Sequence, residues 1–376
     1  MLQSAAALVL LFTSPAVSAA VGSCQHPLVR KEWRTLSVSQ KSAYIDAVRC
    51  LQSQPGQTQH LYPGVRSRYD DYVGTHINIT DSYHFSGPFH PWHRLMVQSY
   101  ESDLRQLCGY TGAQPYWDWT LDADTEQAFV ASPVFDPVTG FGGNGPYVNT
   151  TNMNNTNLGE EKVPGKTGGG CVPDGPFANV SVNMGPGMAG PCSFVSPSRH
   201  SLTAKAGNSV AYNPRCLIRD FSPYLVTWTL NSSVVDWALT ADSYAVFDIR
   251  AQGDGISVWD MTYHGGGHAG IGGDIGDMGN PYSSPGDPLF YLHHANMDRL
   301  WNKWQRADWP ARKDDIAGPD VQFAYPWNFF GDIPYNNITL DHEMDFVELL
   351  GTRRFVKIRE VMDIASPDLC YTYDDE

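Results

Sequence analysis

Apolar positions recur at helical spacing in several stretches of this 376-residue chain and are scattered elsewhere. Between 33 and 53, Trp33, Leu36, Tyr44, Ile45, Val48 and Leu51 follow the rhythm of a helix buried on one face. Ser39 is placed to cap a second turn within it. Residues 92–107 repeat the pattern with Leu95, Met96, Leu104 and Leu107, and Pro91 stands where helices begin. A shorter helix is predicted around Val234 to Leu239 within 221–250, and another over 291–306. From Phe346 to Ile358 the pattern alternates, which predicts strand or sheet edge. Residues 139–192, rich in Gly, Asn, Pro and Thr, have little periodicity and predict a long irregular surface insertion with short strand pairing. The expected fold is mainly α: a four-helix bundle wrapped by long loops and a few short strands.

Two sets of histidines fall on or beside these helices. The first is His76, His84 and His93; the second is His264, His268 and one of the adjacent pair His293 and His294. The 92–107 helix would hold His93 rigidly, as a metal ligand requires. His264 and His268 are four residues apart, so on a helix both imidazoles project from one face. Between them lie Gly265, Gly266 and Gly267, each costing about 1 kcal/mol of helix propensity against alanine. Metal and packing must therefore hold that turn, and the absent side chains are expected to leave room for a substrate above the metal. His293 and His294 would point about 100° apart, so only one faces the same ion. Six imidazoles with no nearby cysteine suit a copper pair that handles dioxygen better than they suit zinc. Metal-bound histidines usually donate their other N–H to a carboxylate or carbonyl. Asp298, four residues after His294, is the candidate outer partner. Asp260, four residues before His264, is a candidate proton-accepting or water-holding carboxylate.

The stretch H-F-S-G-P-F-H-P-W-H-R from His84 and D-P-L-F-Y-L-H-H-A-N-M-D-R-L-W from Asp287 to Trp301 resemble copper-binding signatures. These are the copper A and copper B motifs of the tyrosinase, catechol oxidase and molluscan haemocyanin superfamily. R-K-E-W-R around Trp33, P-Y-W-D-W at Pro115 to Trp119 and Y-T-Y at Tyr371 to Tyr373 also look like that family. The whole is most similar to the short secreted tyrosinase-like proteins of filamentous fungi. The resemblance implies two copper ions with O2 as co-substrate, held by His76, His84, His93, His264, His268 and His294. It places His293 behind the ligands and Phe290 against their rings, keeping the site dry. It implies oxidation of small ortho-diphenols or ortho-aminophenols to quinones or quinone imines, with weaker ortho-hydroxylation of monophenols such as tyrosine. Two other readings stand beside this one: a tailoring enzyme acting on a phenol or tyrosine within a larger metabolite, and a dioxygen carrier, whose copper pair is covered.

The chain departs from the family pattern in four places. Ser82 replaces a cysteine that some fungal relatives link to the following histidine. His90 replaces an apolar residue and is either a seventh ligand, a proton shuttle or a satisfied histidine behind the ligands. Gly265 stands where good monophenol hydroxylases often carry an asparagine that helps hold an activating water. The chain also stops three residues after Tyr373, where many relatives continue into a covering domain, so residues 20–376 are expected to form one catalytic domain without a lid.

A net charge of -15 argues against nucleic-acid and anionic-membrane partners. No internal run approaches the roughly 18 apolar residues of a spanning helix. Residues 1–19 have the apolar core (Ala5 to Phe12) and small terminal residues (Val17, Ser18, Ala19) of a secretory signal peptide. A secreted chain should pair most of its seven cysteines, with one left over. Cys171 and Cys192 flank a Gly/Pro-rich loop and are a candidate staple. Sequons at Asn149, Asn154, Asn179, Asn231 and Asn337 are candidate N-glycan sites; Asn78 is another, expected to be too buried beside His76. His26, His60, His200 and His342 read as ordinary polar side chains. The H-G-G-G run at His264 would suit an esterase oxyanion hole only with a G-x-S-x-G elbow, and the chain has none.

Overall fold

The computed structural model describes residues 24–186 and 209–376. The expected signal peptide at 1–19, Cys192 and His200 lie outside the described residues. The first helix, α1 (Val38–Leu51), begins later than the apolar pattern suggested. Trp33–Thr35 forms a single 3-10 turn, and Leu36 is extended. Ser37, not Ser39, is the cap: its hydroxyl accepts from the Gln40 N–H, and the Gln40 side chain accepts from the Ser37 N–H. Ser67 and Asp70 form the same reciprocal cap on α2 (Arg68–Tyr83).

Helix α3 (Phe89–Cys108) starts three residues before the predicted 92. Pro91 is its third residue, within the first turn, where its missing N–H breaks no helical bond. After α4 (Glu126–Val130) comes the irregular insertion, whose strand content among the described residues is short: β2 (Ser181–Val182) pairs antiparallel with β3 (Arg215–Cys216). The helix predicted near 234–239 is α6 (Ser232–Leu239). It lies between α5 (Pro223–Thr229) and α7 (Tyr244–Gln252), which the apolar pattern did not resolve. Helices α8 (Tyr263–Gly272) and α9 (Leu289–Ala307) carry the second histidine set. Of the segment 346–358, only β5 (Phe355–Lys357) is strand; it forms a hairpin with β4 (Glu343–Asp345), Met344 opposite Val356.

Helices α3 and α9 pack against each other, α2 lies on α3 and α8 on α9, giving the helical bundle. Trp92, Trp117, Trp119, Trp301 and Trp304 are fully buried in its core. The two ends of the described residues meet at one side. β1 (Leu28–Arg30) runs parallel to β6 (Tyr371–Tyr373), with Leu28 opposite Tyr371, and Cys24 is bonded to Cys370 next to them. Cys50 pairs with Cys108, tying the end of α1 to the end of α3. The expected Cys171–Cys192 staple is corrected: Cys171 is bonded to Cys216, which its β-bridge to Ile218 brings alongside.

The burial expected of Asn78 is also corrected, since its position on α2 is exposed. Asn149, Asn154, Asn179 and Asn337 are exposed as well. Asn231 caps α6 instead, with its amide donating to the carbonyls of Thr227 and Trp228. Among the described residues no helix is long and apolar enough to cross a membrane.

Candidate metal centre

The bundle delivers its histidines from four helices. His76 projects from α2, His84 follows the end of that helix, and His93 lies in the first turns of α3. The nitrogens these three can offer a metal lie within 4.8 Å of one another. His264 and His268 on α8 and His294 on α9 form a second group within the same limit. The groups are adjacent: the His93 and His294 rings stack with centroids 4.4 Å apart, and those of His84 and His264 are 5.7 Å apart.

Backbone carbonyls orient the rings. The Nδ1–H of His76 donates to the Tyr282 carbonyl at 2.6 Å, that of His84 to Thr80 at 2.9 Å, that of His93 to Phe89 at 2.8 Å and that of His268 to Met278 at 2.8 Å. Each such bond fixes the proton on Nδ1 and leaves Nε2 as a lone pair aimed into the site. Nε2 of His76, His93 and His264 is buried with no hydrogen-bond partner. Burial depresses every one of these imidazoles, taking His84 and His268 to about 4. They are therefore neutral, as metal ligation requires.

Buried, unpartnered lone pairs cost free energy unless something cationic meets them. The Nε2 atoms of His268 and His294 face each other at 3.2 Å. Two nitrogens sharing one ion at about 2.0 Å would have a similar separation. On both counts the residues fit a pair of N-bound metals, and an all-imidazole donor set suits copper.

Of the adjacent pair on α9, only His294 belongs to a group. His293 is fully buried against Trp119, with ring centroids 5.2 Å apart, and both its ring nitrogens lack a hydrogen bond. Phe290 lies against both sets, 5.4 Å from His76 and 4.2 Å from His294 between centroids. The three glycines of α8 have separate uses. A Cβ on Gly266 would come within 2.1 Å of Thr229, and one on Gly267 within 2.2 Å of the His293 ring. Those two permit close helix packing and leave no room for substrate, contrary to expectation. Gly265 alone of the three borders the open cleft.

Two carboxylates are elsewhere than expected. Asp298 touches no ligand histidine. It accepts from Arg94 at 2.5 Å, Tyr371 at 2.5 Å, Tyr373 at 2.6 Å and Arg30 at 3.2 Å, and Arg30 also binds Glu101 at 2.6 Å. Burial alone would raise the Asp298 carboxyl, but Arg94, Arg30 and the two phenols outweigh it and hold it below the ordinary range. It ties both chain ends to α3 and α9. The helical register that puts Asp298 four residues from His294 does not bring its side chain to that ring, because Arg30, Arg94, Tyr371 and Tyr373 hold both carboxylate oxygens elsewhere. Asp260 is exposed and caps its own 3-10 turn through the Ser257 N–H. His90 joins neither histidine group; it lies 3.6 Å from Asp248 and packs on Phe247 and Trp301.

A cleft opens over the site, with His84, His264 and His268 on its floor and Leu158, Ile256 and Met261 among its walls. Phe85 and Phe323 complete the apolar side, their rings 5.1 Å apart. Both have left-handed backbone, with φ of 50° and 60°, which bulky residues rarely adopt. The Phe85 N–H donates to the Gln252 side chain at 2.6 Å, and the Phe323 N–H to the Phe85 carbonyl at 3.0 Å. Sequence reasoning found neither this wall nor Arg219, which clamps Asp287 at 2.8 and 2.9 Å at the start of α9. The only advance signal of the clamp was Asp287 itself, the first residue of its motif.

Residues 66–307 match the common central domain of tyrosinase. An N-acetyl-6-hydroxytryptophan oxidase of Emericella nidulans is 37% identical over 100% of both chains. Tyrosinase P of Aspergillus terreus is 35% identical over 93% of each. A mutant polyphenol oxidase from Thermothelomyces thermophila superposes with a TM-score of 0.74 at 35% identity, covering 92% of this chain and 88% of that one.

Proposed function

The chain belongs to the tyrosinase family of dicopper oxidases, and on that premise we propose that it is a secreted enzyme that oxidises ortho-diphenols or ortho-aminophenols with O2. The products are quinones or quinone imines. The observation that carries this reading is the cleft floored by His84, His264 and His268: a phenolic ring entering it reaches both histidine groups. The same opening argues against a dioxygen carrier, which would cover its metals.

In this reading His76, His84 and His93 hold one copper ion and His264, His268 and His294 the other. The bound pair, cycling between its two oxidation states, would supply the electron acceptor and the site of O2 reduction to water. The chain's own residues do the rest. The carbonyls of Tyr282, Thr80, Phe89 and Met278 keep the Nε2 lone pairs of His76, His84, His93 and His268 turned inward. No carboxylate belongs to either group, so the loaded site stays cationic and favours a phenolate. Phe290 fills the space between the groups and excludes water behind the rings. Gly265 presents no side chain that could position a base-like water, so diphenol oxidation should exceed hydroxylation of monophenols.

The paired cysteines support secretion. One relative's name specifies a hydroxylated, acylated amino acid, which favours a substituted phenol over a bare catechol. The reading is tested by copper per chain together with O2 uptake on 4-methylcatechol and on tyrosine. Two coppers, rapid catechol turnover and slow turnover of tyrosine are expected. A copper-loaded protein inert to catechols overturns the reading.

A further inference from the structure

We propose that Gln252 is a positioning residue that sets substrate preference: it fixes the Phe85–Phe323 wall so that the cleft favours phenols bearing a bulky apolar substituent. The inference rests on the oxidase reading above and deepens it. Gln252 ends α7 and lines the cleft, and its side chain is committed in two directions. Its Oε1 accepts the Phe85 N–H at 2.6 Å, and its Nε2 donates to Asp248 Oδ1 at 2.9 Å. A backbone N–H can only donate, so the amide must turn its oxygen to Phe85 and its NH2 group to an acceptor. Asp248, one turn earlier on α7 and buried, is that acceptor. His90 stands on the far side of it, with its Nε2 3.6 Å from Asp248 Oδ1.

The wall needs such an anchor because burial alone does not hold Phe85. The residue is half-buried and its φ is 50°, a backbone that persists only where its surroundings fix it. The bond from its N–H to Gln252 supplies that constraint. The next residue holds the other segment of the wall: the Gly253 carbonyl accepts the Trp327 indole N–H at 2.9 Å, and the Trp327 ring meets Phe85 edge-on at 6.1 Å. Phe323 and Phe329 lie 5.1 and 5.7 Å from Phe85 between ring centroids. The end of α7 thus anchors both segments that build the wall. Burial pushes the Asp248 carboxyl well above its ordinary range, with the Gln252 hydrogen bond opposing. Its use here is as an acceptor, which an amide oxygen would serve equally. Phe85 directly follows His84, so a phenol bound over His84 would bring its substituent against this wall.

The test uses the copper-loaded full chain with catechol and 4-tert-butylcatechol. Wild type is expected to have the lower KM for 4-tert-butylcatechol. Gln252→Leu should raise that KM about tenfold, the worth of burying one apolar group, and leave kcat and the KM of catechol unmoved. Copper should stay at two per chain, because the Thr80 carbonyl, not Gln252, orients His84. Asp248→Ala should reproduce the selective loss, whereas Asp248→Asn should retain the wild-type ratio of the two KM values. Equal changes for both substrates, an Asp248→Asn as impaired as Asp248→Ala, or loss of copper in Gln252→Leu overturns the proposal and leaves the oxidase reading intact. A copper-loaded wild type that oxidises neither substrate overturns both. If Gln252→Leu does not fold, Gln252→Asn decides: it keeps both amide groups but is one methylene too short to span Phe85 and Asp248. The same selective rise in KM is expected, and an unmoved ratio overturns the proposal.

Discussion

Phe323 donates its backbone N–H to the carbonyl of Phe85 at 3.0 Å while both residues hold left-handed backbone. Two bulky side chains share a conformation that costs each of them free energy, and both face the cleft. The hydrogen bonds from Phe323 to Phe85 and from Phe85 to Gln252 hold that conformation and keep the two rings side by side as one wall.

Phe323→Ala should therefore lose stability, by no more than about 3–5 kcal/mol because the buried ring it removes borders the open cleft. Phe323→Gly should be at least as stable as Phe323→Ala, reversing the usual order, because glycine adopts a φ of 60° without strain. Denaturant midpoints of the two variants check this. In both, KM for bulky phenols should rise more than kcat falls.

His294→Ala should lower copper from about two ions per chain towards one, since a ligand set must be complete to hold its ion. His293→Ala should retain both ions, because His293 joins neither histidine group. Metal analysis of the folded proteins separates the two. Full copper in His294→Ala would reassign the ligand.

Asp298→Asn should cost about 3–5 kcal/mol, as expected when one partner is removed from a buried ion pair. It leaves Arg30 and Arg94 with too little negative charge beside them. Copper per folded chain should not change, because Asp298 touches no ligand. A thermal shift with unaltered metal content is the expected pair of results.

Acid should destabilise the fold through its buried histidines. His90 falls to about 3, chiefly by burial with a contribution from Arg94, against an ordinary value of 6.5. The unfolded chain therefore takes up this proton first as pH falls. The corresponding stability is complete above pH 6.5 and is lost progressively as pH drops toward 3. His90→Phe should flatten the dependence of the unfolding free energy on pH by up to one proton across that window. Denaturant midpoints at several pH values read it directly, and an unchanged slope would refute it.

Much of the scaffold was legible in advance because histidine spacing and apolar periodicity are properties of side chains. The pair at His264 and His268, and the helices beneath His93 and His294, could be read that way. What could not be read depends on backbone or on distant segments. The carbonyls of Tyr282 and Met278 that orient the rings look like any other carbonyl in a sequence. Asp298 was assigned to His294 by proximity along α9, whereas its partners Arg30, Tyr371 and Tyr373 come from the two ends of the chain. The glycines of α8 looked like open space because the sequence does not show that Thr229 and His293 fill it. The start of α1 was misplaced because apolar rhythm continued through Trp33 while the Ser37–Gln40 cap decided the first turn.

The bond between Cys24 and Cys370, beside the parallel pair of β1 and β6, closes the chain into a covalent ring. A single peptide cut anywhere between those cysteines therefore yields no separable fragment until a reductant is added. A proteolysed sample would run as one species without reductant and as two or more with it. The loops around the cleft can thus be nicked while the halves carrying the two histidine groups remain one molecule.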